Sequence, residues 1–271
     1  MNLEPEAIEA LKALQRVLKK EGIESILMGA LVPHLLIDLD EDLGSRPTLD
    51  VDSSVKTRSW REYDRLVNEL EKAGFKRSKE EHRVIYGNHV RIDILPYHPQ
   101  LVSKDRLIWP KSGNEMITIG LKEAFATATS MEISPGLIVS VTSIPAFILL
   151  KIAAYTDRRY PRDLVDITYC LEHYEEAPLS DRRYELVGKF LQGLTLKYEE
   201  AGAYLLGRDL SQIAEPESNE MVRSFLHQFE DPYCEPIGIV LREQQRFGGN
   251  ADRRGETWRL FQAMKLGFEE S

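Results

Sequence analysis

Three aspartates, Asp50, Asp52 and Asp93, have the residue type and spacing to do chemistry together. Asp50 and Asp52 lie in the run Arg46-Pro47-Thr48-Leu49-Asp50-Val51-Asp52, which alternates as a strand, and on a strand residues i and i+2 share a face. Leu49 and Val51 take the core side. Two carboxylates held side by side repel unless they are solvated or neutralised by a cation, and an oxygen-rich pair is what Mg²⁺ prefers. Asp93 alternates with Ile92 and Ile94 in Val90-Arg91-Ile92-Asp93-Ile94-Leu95, so it too faces away from the apolar side of its strand. Three acids on adjacent strands are the donor set of a two-metal site. An isolated Asp-x-Asp is more often the wet face of an edge strand, so the surrounding residues decide its weight.

Upstream, Ile26-Leu27-Met28 runs into Gly29-Ala30, and Leu31 to Leu39 follows with helical spacing. A glycine between strand and helix lets backbone approach a triphosphate closely, and the helix directs its positive end toward it. Downstream, Lys151 lies on the stripe formed by Ile144, Phe147, Ile148, Ile152 and Tyr155, where its ammonium must snorkel or meet an anion. Lys151→Met should keep the stripe packed with little loss of stability, weakening nucleotide binding and turnover if the ammonium meets phosphate and leaving both untouched if it snorkels. Asp163 and Asp166 are three apart on the next helix. They read either as acids stabilising a helix N-terminus beside Arg162 or as part of the site. His82, His89 and His98 match no zinc spacing and read as structural or surface residues.

Met28-Gly29-Ala30, Asp50-Val51-Asp52 and Asp93 fall in the order found in the nucleotidyltransferase superfamily, and the chain resembles that superfamily's DNA polymerase β-like fold. Ala30 stands where the superfamily usually has Ser or Gly. The likeness is closer to the AbiEii-type abortive-infection toxins, through Arg46, Thr48, Asp50 and Asp52, then Ser134-Pro135-Gly136, Lys151, Arg162-Asp163 and Asp166. It covers residues 20 to 175. The resemblance implies a Mg²⁺-dependent nucleotidyltransferase with two metal ions. Asp50, Asp52 and Asp93 would be its catalytic and metal-binding residues, and Gly29, Ala30, Thr48, Lys151 and Asp163 would lie against the nucleoside triphosphate. It further implies an acceptor such as tRNA and a cognate antitoxin protein. A second reading keeps the fold and drops the catalysis, leaving a nucleotide-binding or interaction module.

The elements that must position these residues follow from periodicity. Ile8, Leu11, Leu14 and Leu18 predict a helix over residues 4 to 21, ended by Gly22. Trp60 to Ala73 reads as a helix closed by Gly74. Gly87-Asn88 predicts a two-residue turn pairing Arg83–Tyr86 with His89–Leu95, and Pro96 is expected to end the second strand. Met116–Ile119 and Leu137–Val141 read as strands with a helix, Lys122–Ser130, between them. After residue 142 only helices are predicted: Ile144–Asp157, Arg162–Tyr174, Asp181–Leu191, Leu194–Leu206, Asn219–Phe229 and Ile237–Phe247. The expectation is an α+β chain, with a nucleotidyltransferase-like mixed sheet and flanking helices in residues 1–142 and a helical domain in residues 143–271 that completes the cleft.

Composition narrows the classes. At 271 residues, 42% hydrophobic and 29% charged, the chain is ordinary for a globular protein, and 17 Gly and 13 Pro are too few for low complexity. Lys+Arg 35 against Asp+Glu 44 gives a net charge of −9, which argues against generic, salt-driven wrapping of nucleic acid. Two cysteines without CxxC spacing suggest neither a disulfide framework nor a zinc ribbon. The uncharged stretch Ile133–Leu150 is broken by Ser134-Pro135-Gly136 and Pro145, so no membrane span is expected, and a cytoplasmic location fits.

Overall fold

The computed structural model describes residues 4–37, 50–87, 89–175, 182–186, 196–246 and 253–270. The chain divides into two compact units, Met1–Ser143 and Ile144–Ser271.

The first unit opens on helix α1 (Pro5–Glu21), which buries Ala7, Ala10, Leu11, Leu14 and Leu18 along one face. Gly22, at φ 66°, closes it, with the Ile23 N–H returning to the Leu18 carbonyl at 3.0 Å. Strand β1 (Ser25–Met28) then turns at Gly29 into the short helix α2 (Leu31–Leu36). Strand β2 (Asp50–Lys56) is followed by helix α3 (Trp60–Lys72), whose N-cap Ser59 side chain accepts the Glu62 N–H. Strands β3 (Phe75–Arg77), β4 (Arg83–Tyr86) and β5 (Val90–Tyr97) come next. A separate small sheet is made by β6 (Val102–Ser103), β7 (Arg106–Ile108) and β8 (Glu115–Ile117). Helix α4 (Leu121–Ala126), β9 (Thr129–Ser134) and β10 (Leu137–Val141) complete the unit.

The main sheet is mixed, with order β3-β4-β5-β2-β1-β10-β9. β2 lies parallel to β5, and β1 parallel to β10, while the other neighbours are antiparallel. Val51, Val55, Ile92 and Ile94 are at most 1% exposed and form one apolar face of the β2–β5 pair. The opposite face therefore carries Asp50, Asp52, Arg91 and Asp93.

Several local expectations need correction. Pro96 does not end β5, which runs on to Tyr97. The Ile94 N–H bonds the His82 carbonyl on the β4 side, so the Pro96 nitrogen, two residues on, points past the end of β4 and forfeits no ladder bond. Tyr86 pairs with Val90 rather than His89, so the hairpin connection holds three residues, with Gly87 at φ 59°; Asn88 lies outside the described residues. The helix expected over Lys122–Ser130 stops at Ala126, where the Thr127 hydroxyl bonds back to the Glu123 carbonyl, and Thr129 begins an edge strand instead.

In the second unit, α5 (Ile144–Arg158) and α6 (Pro161–His173) pack together, and Pro161 suits the first turn because its missing N–H has no partner there. A 3₁₀ turn at Arg182–Leu186 occupies part of the expected Asp181–Leu191 helix, the rest of which lies outside the described residues. A second 3₁₀ turn, Tyr198–Glu200, leads into α7 (Ala201–Ile213), which runs beyond the expected Leu206. Then come α8 (Pro216–Leu226), a 3₁₀ turn at His227–Phe229, and α9 (Glu235–Arg246). Helix α10 (Arg254–Glu269) was not expected at all. It crosses α7 at facing glycines: a Cβ on Gly207 would sit 2.0 Å from the Met264 carbonyl oxygen, and one on Gly267 2.0 Å from that of Tyr204. No helix of the described residues is long and apolar enough to cross a membrane.

Candidate functional site

Strand register brings two of the three expected acids side by side. Asp52 pairs directly with Asp93 across the parallel β2–β5 ladder, and Asp50 pairs with Arg91. On β1, Met28 stands opposite Asp52, and on β4, Arg83 stands opposite Asp93. One row across the sheet therefore reads Met28, Asp52, Asp93, Arg83, with Asp50 two residues along the same face. Asp50 is exposed at the start of β2, with Arg91 Nη1 3.8 Å from its Oδ1, whereas Asp52 is half-buried.

Gly29 makes room for that row. Its φ is +71°, and a Cβ placed there would lie 1.9 Å from Asp52 Oδ2. The Asp52 carboxylate thus rests against bare glycine backbone at the β1–α2 turn, and no side chain fits between them. Ala30 follows as the N-cap of α2 and makes no side-chain cap hydrogen bond. Thr48 lies outside the described residues.

Asp93 has a cationic partner within the sheet. Arg83 Nε donates to Asp93 Oδ1 at 2.6 Å and Nη2 donates to Oδ2 at 2.8 Å, a two-pronged fork. His82 Nε2 stands 3.7 Å from Asp93 Oδ2, so this histidine borders the row rather than serving only the surface. The Asp93 hydrogen bonds raise the Arg83 guanidinium above its usual pKa, burial opposing them. Arg83 also lines a cavity of ≈ 110 Å³ with Trp60, Tyr63 and Trp109. The Tyr63 hydroxyl donates to the Ile94 carbonyl at 3.1 Å, and burial pushes its pKa well up.

Arg83 is the residue that sequence reasoning misses. A two-residue turn would set Tyr86 against His89 and hence Arg83 against Ile92. The observed register sets Arg83 against Asp93 and Val84 against Ile92. The available signal was the matching of apolar Val84 to apolar Ile92, since a slip of one residue puts charge on the core face.

Lys151, expected against phosphate, is clasped within the helical unit. Its Nζ lies 2.5 Å from Asp166 Oδ2 and 3.3 Å from Asp163 Oδ1. Asp163 is 1% exposed and also takes two hydrogen bonds from Arg158, at 3.0 and 2.9 Å. Arg158 thus supplies the pairing expected of Arg162.

As donors, Asp50, Asp52 and Asp93 offer only oxygen, which suits a hard divalent cation, and at Gly29 one Asp52 oxygen meets backbone where any other residue would place a Cβ. Among the described residues no group of three or more His, Cys, Asp or Glu side chains is placed to hold a metal ion, so Asp50, Asp52 and Asp93 do not converge as a ready-made three-acid site.

Several solved structures are similar to the chain. An antigenic nucleotidyltransferase-like protein from Paracoccidioides brasiliensis is 20% identical over 69% of this chain and 88% of its own, with TM-score 0.42. JHP933 from Helicobacter pylori is 12% identical over 99% and 94%, with TM-score 0.43. The antibiotic-resistance factor ANT(2'')-Ia is 13% identical over 76% and 94%, with TM-score 0.36. No curated protein matches the sequence. The family model described as "Nucleotidyl transferase AbiEii toxin, Type IV TA system" matches residues 41–237. That span holds Asp50, Asp52, Asp93, Lys151 and Asp163 and most of the chain, which therefore belongs to the AbiEii nucleotidyltransferase toxin family.

Proposed function

We propose that the protein moves a nucleoside monophosphate from a nucleoside triphosphate to an acceptor hydroxyl with the help of Mg²⁺. The observation that supports this best is the register pairing of Asp52 with Asp93, with Asp50 on the same face and Gly29 against Asp52. Mg²⁺, as two ions, would supply charge neutralisation for the triphosphate and the departing pyrophosphate. Asp50 and Asp52 would hold the cations from one strand and Asp93 from the next. Asp93 has a further part, accepting the acceptor's proton at a carboxylate oxygen. The acceptor oxygen then bonds to the α-phosphorus as the bond from that phosphorus to the pyrophosphate oxygen breaks. Gly29 and Ala30 leave the turn open for the phosphates, since neither carries a bulky side chain. A contact from Lys151 or Asp163 to the nucleotide would require them to leave each other and Asp166, so the reading rests on the acid row.

Family membership supports an antitoxin partner and a nucleoside triphosphate substrate. For the acceptor we propose tRNA, and for the setting, the cytoplasm. The test incubates the protein with each labelled NTP, Mg²⁺ and total cellular RNA, and compares wild type with Asp52→Asn. Wild type transfers label to RNA. The variant, which keeps the shape of the side chain and removes its charge, is expected to lose at least about 100-fold in rate with an unchanged circular dichroism spectrum. Full activity in Asp52→Asn would remove the metal role of that residue.

A further inference from the structure

Asp93 can ligate a cation only with oxygens that Arg83 already holds. The fork takes one short bond to each oxygen, 2.6 and 2.8 Å, and the two side chains are only 25% and 24% exposed, so water screens the pair incompletely. Direct cross-strand register fixes the pair in place. A guanidinium bound to both oxygens neutralises the charge that a divalent ion would use and occupies lone pairs that it would need. Arg91, on the same face, is a contrast: it stands opposite Asp50, is 56% exposed and approaches an Asp50 oxygen only to 3.8 Å.

We propose that Arg83 is a positioning residue of the transfer site, an internal counter-cation that holds Asp93 and competes with the metal for it. The inference rests on the proposed metal role of the acid row. It gives the site two arrangements. With the fork closed, Asp93 is neutralised by protein alone, and the repulsion from Asp52 across the ladder is relieved. A divalent ion must compete with the guanidinium for the charge of Asp93 and is left one lone pair on each oxygen, so the affinity of the NTP-free protein for divalent ions is held below what three carboxylates would give.

The experiment measures Mn²⁺ binding to the full-length, NTP-free protein by electron paramagnetic resonance, together with the thermal midpoint in metal-free buffer. Arg83→Gln should bind Mn²⁺ about tenfold more tightly than wild type and melt at a lower temperature without metal, because it removes both the charge and the fork. Arg83→Lys keeps the charge and loses the two-pronged geometry, and should still bind several-fold more tightly. Arg91→Gln, which removes an exposed charge 3.8 Å from Asp50 that makes no fork, should move affinity by no more than about twofold. The inference is overturned by unchanged or weaker Mn²⁺ binding in Arg83→Gln, or by Arg83→Lys matching wild type, which would leave only a charge effect. If Arg83→Gln does not fold, Arg83→Lys against wild type decides. Asp52→Asn separates the two levels: if it leaves Mn²⁺ binding unaltered, the metal reading itself fails. If binding depends on Asp52 and is indifferent to both Arg83 variants, only the Arg83 inference fails.

Discussion

Asp163 in the helical unit is 1% exposed and gives its oxygens to Arg158 and Lys151, while Asp52 in the sheet unit is half-buried with one oxygen against the bare backbone of Gly29. Both are aspartates set among apolar neighbours. In the helices, carboxylates and cations arrive in matching numbers: Asp163 and Asp166 with Lys151 and Arg158. In the sheet, Asp50, Asp52 and Asp93 crowd one face of two strands, with a fork from Arg83 given to Asp93 and the exposed Arg91 no nearer than 3.8 Å to Asp50. Where charges balance, a buried pair serves structure. Where like charges are gathered on one face beside a bare glycine, their repulsion is what the proposed cation would relieve.

The contrast breaks most visibly in stability. Asp163→Asn removes the charge of a 1%-exposed carboxylate that holds Arg158 and lies 3.3 Å from Lys151, which keeps Asp166 at 2.5 Å, and should cost about 3 kcal/mol in urea unfolding. This is the lower end for a broken buried pair, because Arg158 is 56% exposed and regains water. Asp52→Asn should change stability by less than about 1 kcal/mol, since it removes repulsion along with any favourable contact. Equal losses at the two sites would show that the sheet carboxylate is structural too. Lys151→Met sharpens the point: with Asp166 at 2.5 Å and Asp163 at 3.3 Å it should lose about 1 to 2 kcal/mol, not the near-zero expected of a snorkelling lysine.

A smaller loss of stability, with a larger loss of activity, is expected from Gly29→Ala. A non-glycine residue at φ +71° costs about 1 kcal/mol, and its Cβ would displace the Asp52 carboxylate, which lies 1.9 Å away. On the proposed role of Asp52, moving its carboxylate by about 1 Å should lower transfer about 100-fold. Rates and unfolding curves on the same preparation check both halves. A variant that keeps its rate would mean that the space beside Asp52 serves packing alone.

How much of this was legible in the sequence depends on whether the deciding contact was local. Helix α3 and strand β10 lie where apolar periodicity puts them, because each buries one regular face. The mixed sheet could be expected from the alternating runs around Asp52 and Asp93. Arg83 was hidden by a single residue of hairpin register, a quantity fixed by turn geometry and not by composition. Helix α10 was hidden because Gly255 and Gly267 weaken the local helical signal, and Gly267 is there for the crossing with Tyr204, more than 60 residues away in the chain. The partners of Lys151 were within reach of the eye but ambiguous, since acids three apart in a first turn also suit a helix terminus.

The smallest expected effect tests charge balance elsewhere in the helical unit. Asp209 on α7 accepts Arg182 at 2.5 and 2.9 Å and the Tyr174 hydroxyl at 2.7 Å, with Glu175 sharing Arg182 Nη1 at 3.1 Å and Arg208 4.0 Å from Asp209. Burial alone would raise the Asp209 pKa, but the Arg182 and Tyr174 hydrogen bonds outweigh it and hold the carboxyl below its ordinary 3.8. A carboxyl depressed by folding adds stability that is fully present above its unfolded value and drains away as pH falls through the folded one. The midpoint difference between wild type and Asp209→Asn should therefore be constant from neutral pH to about 5 and shrink as acid is added below about 4. Thermal melts of the two proteins across that range measure it. A difference that persists undiminished at pH 2 would mean that Arg182 and Tyr174 hold the residue by shape and not by charge, and that the balanced half of the molecule is balanced for packing.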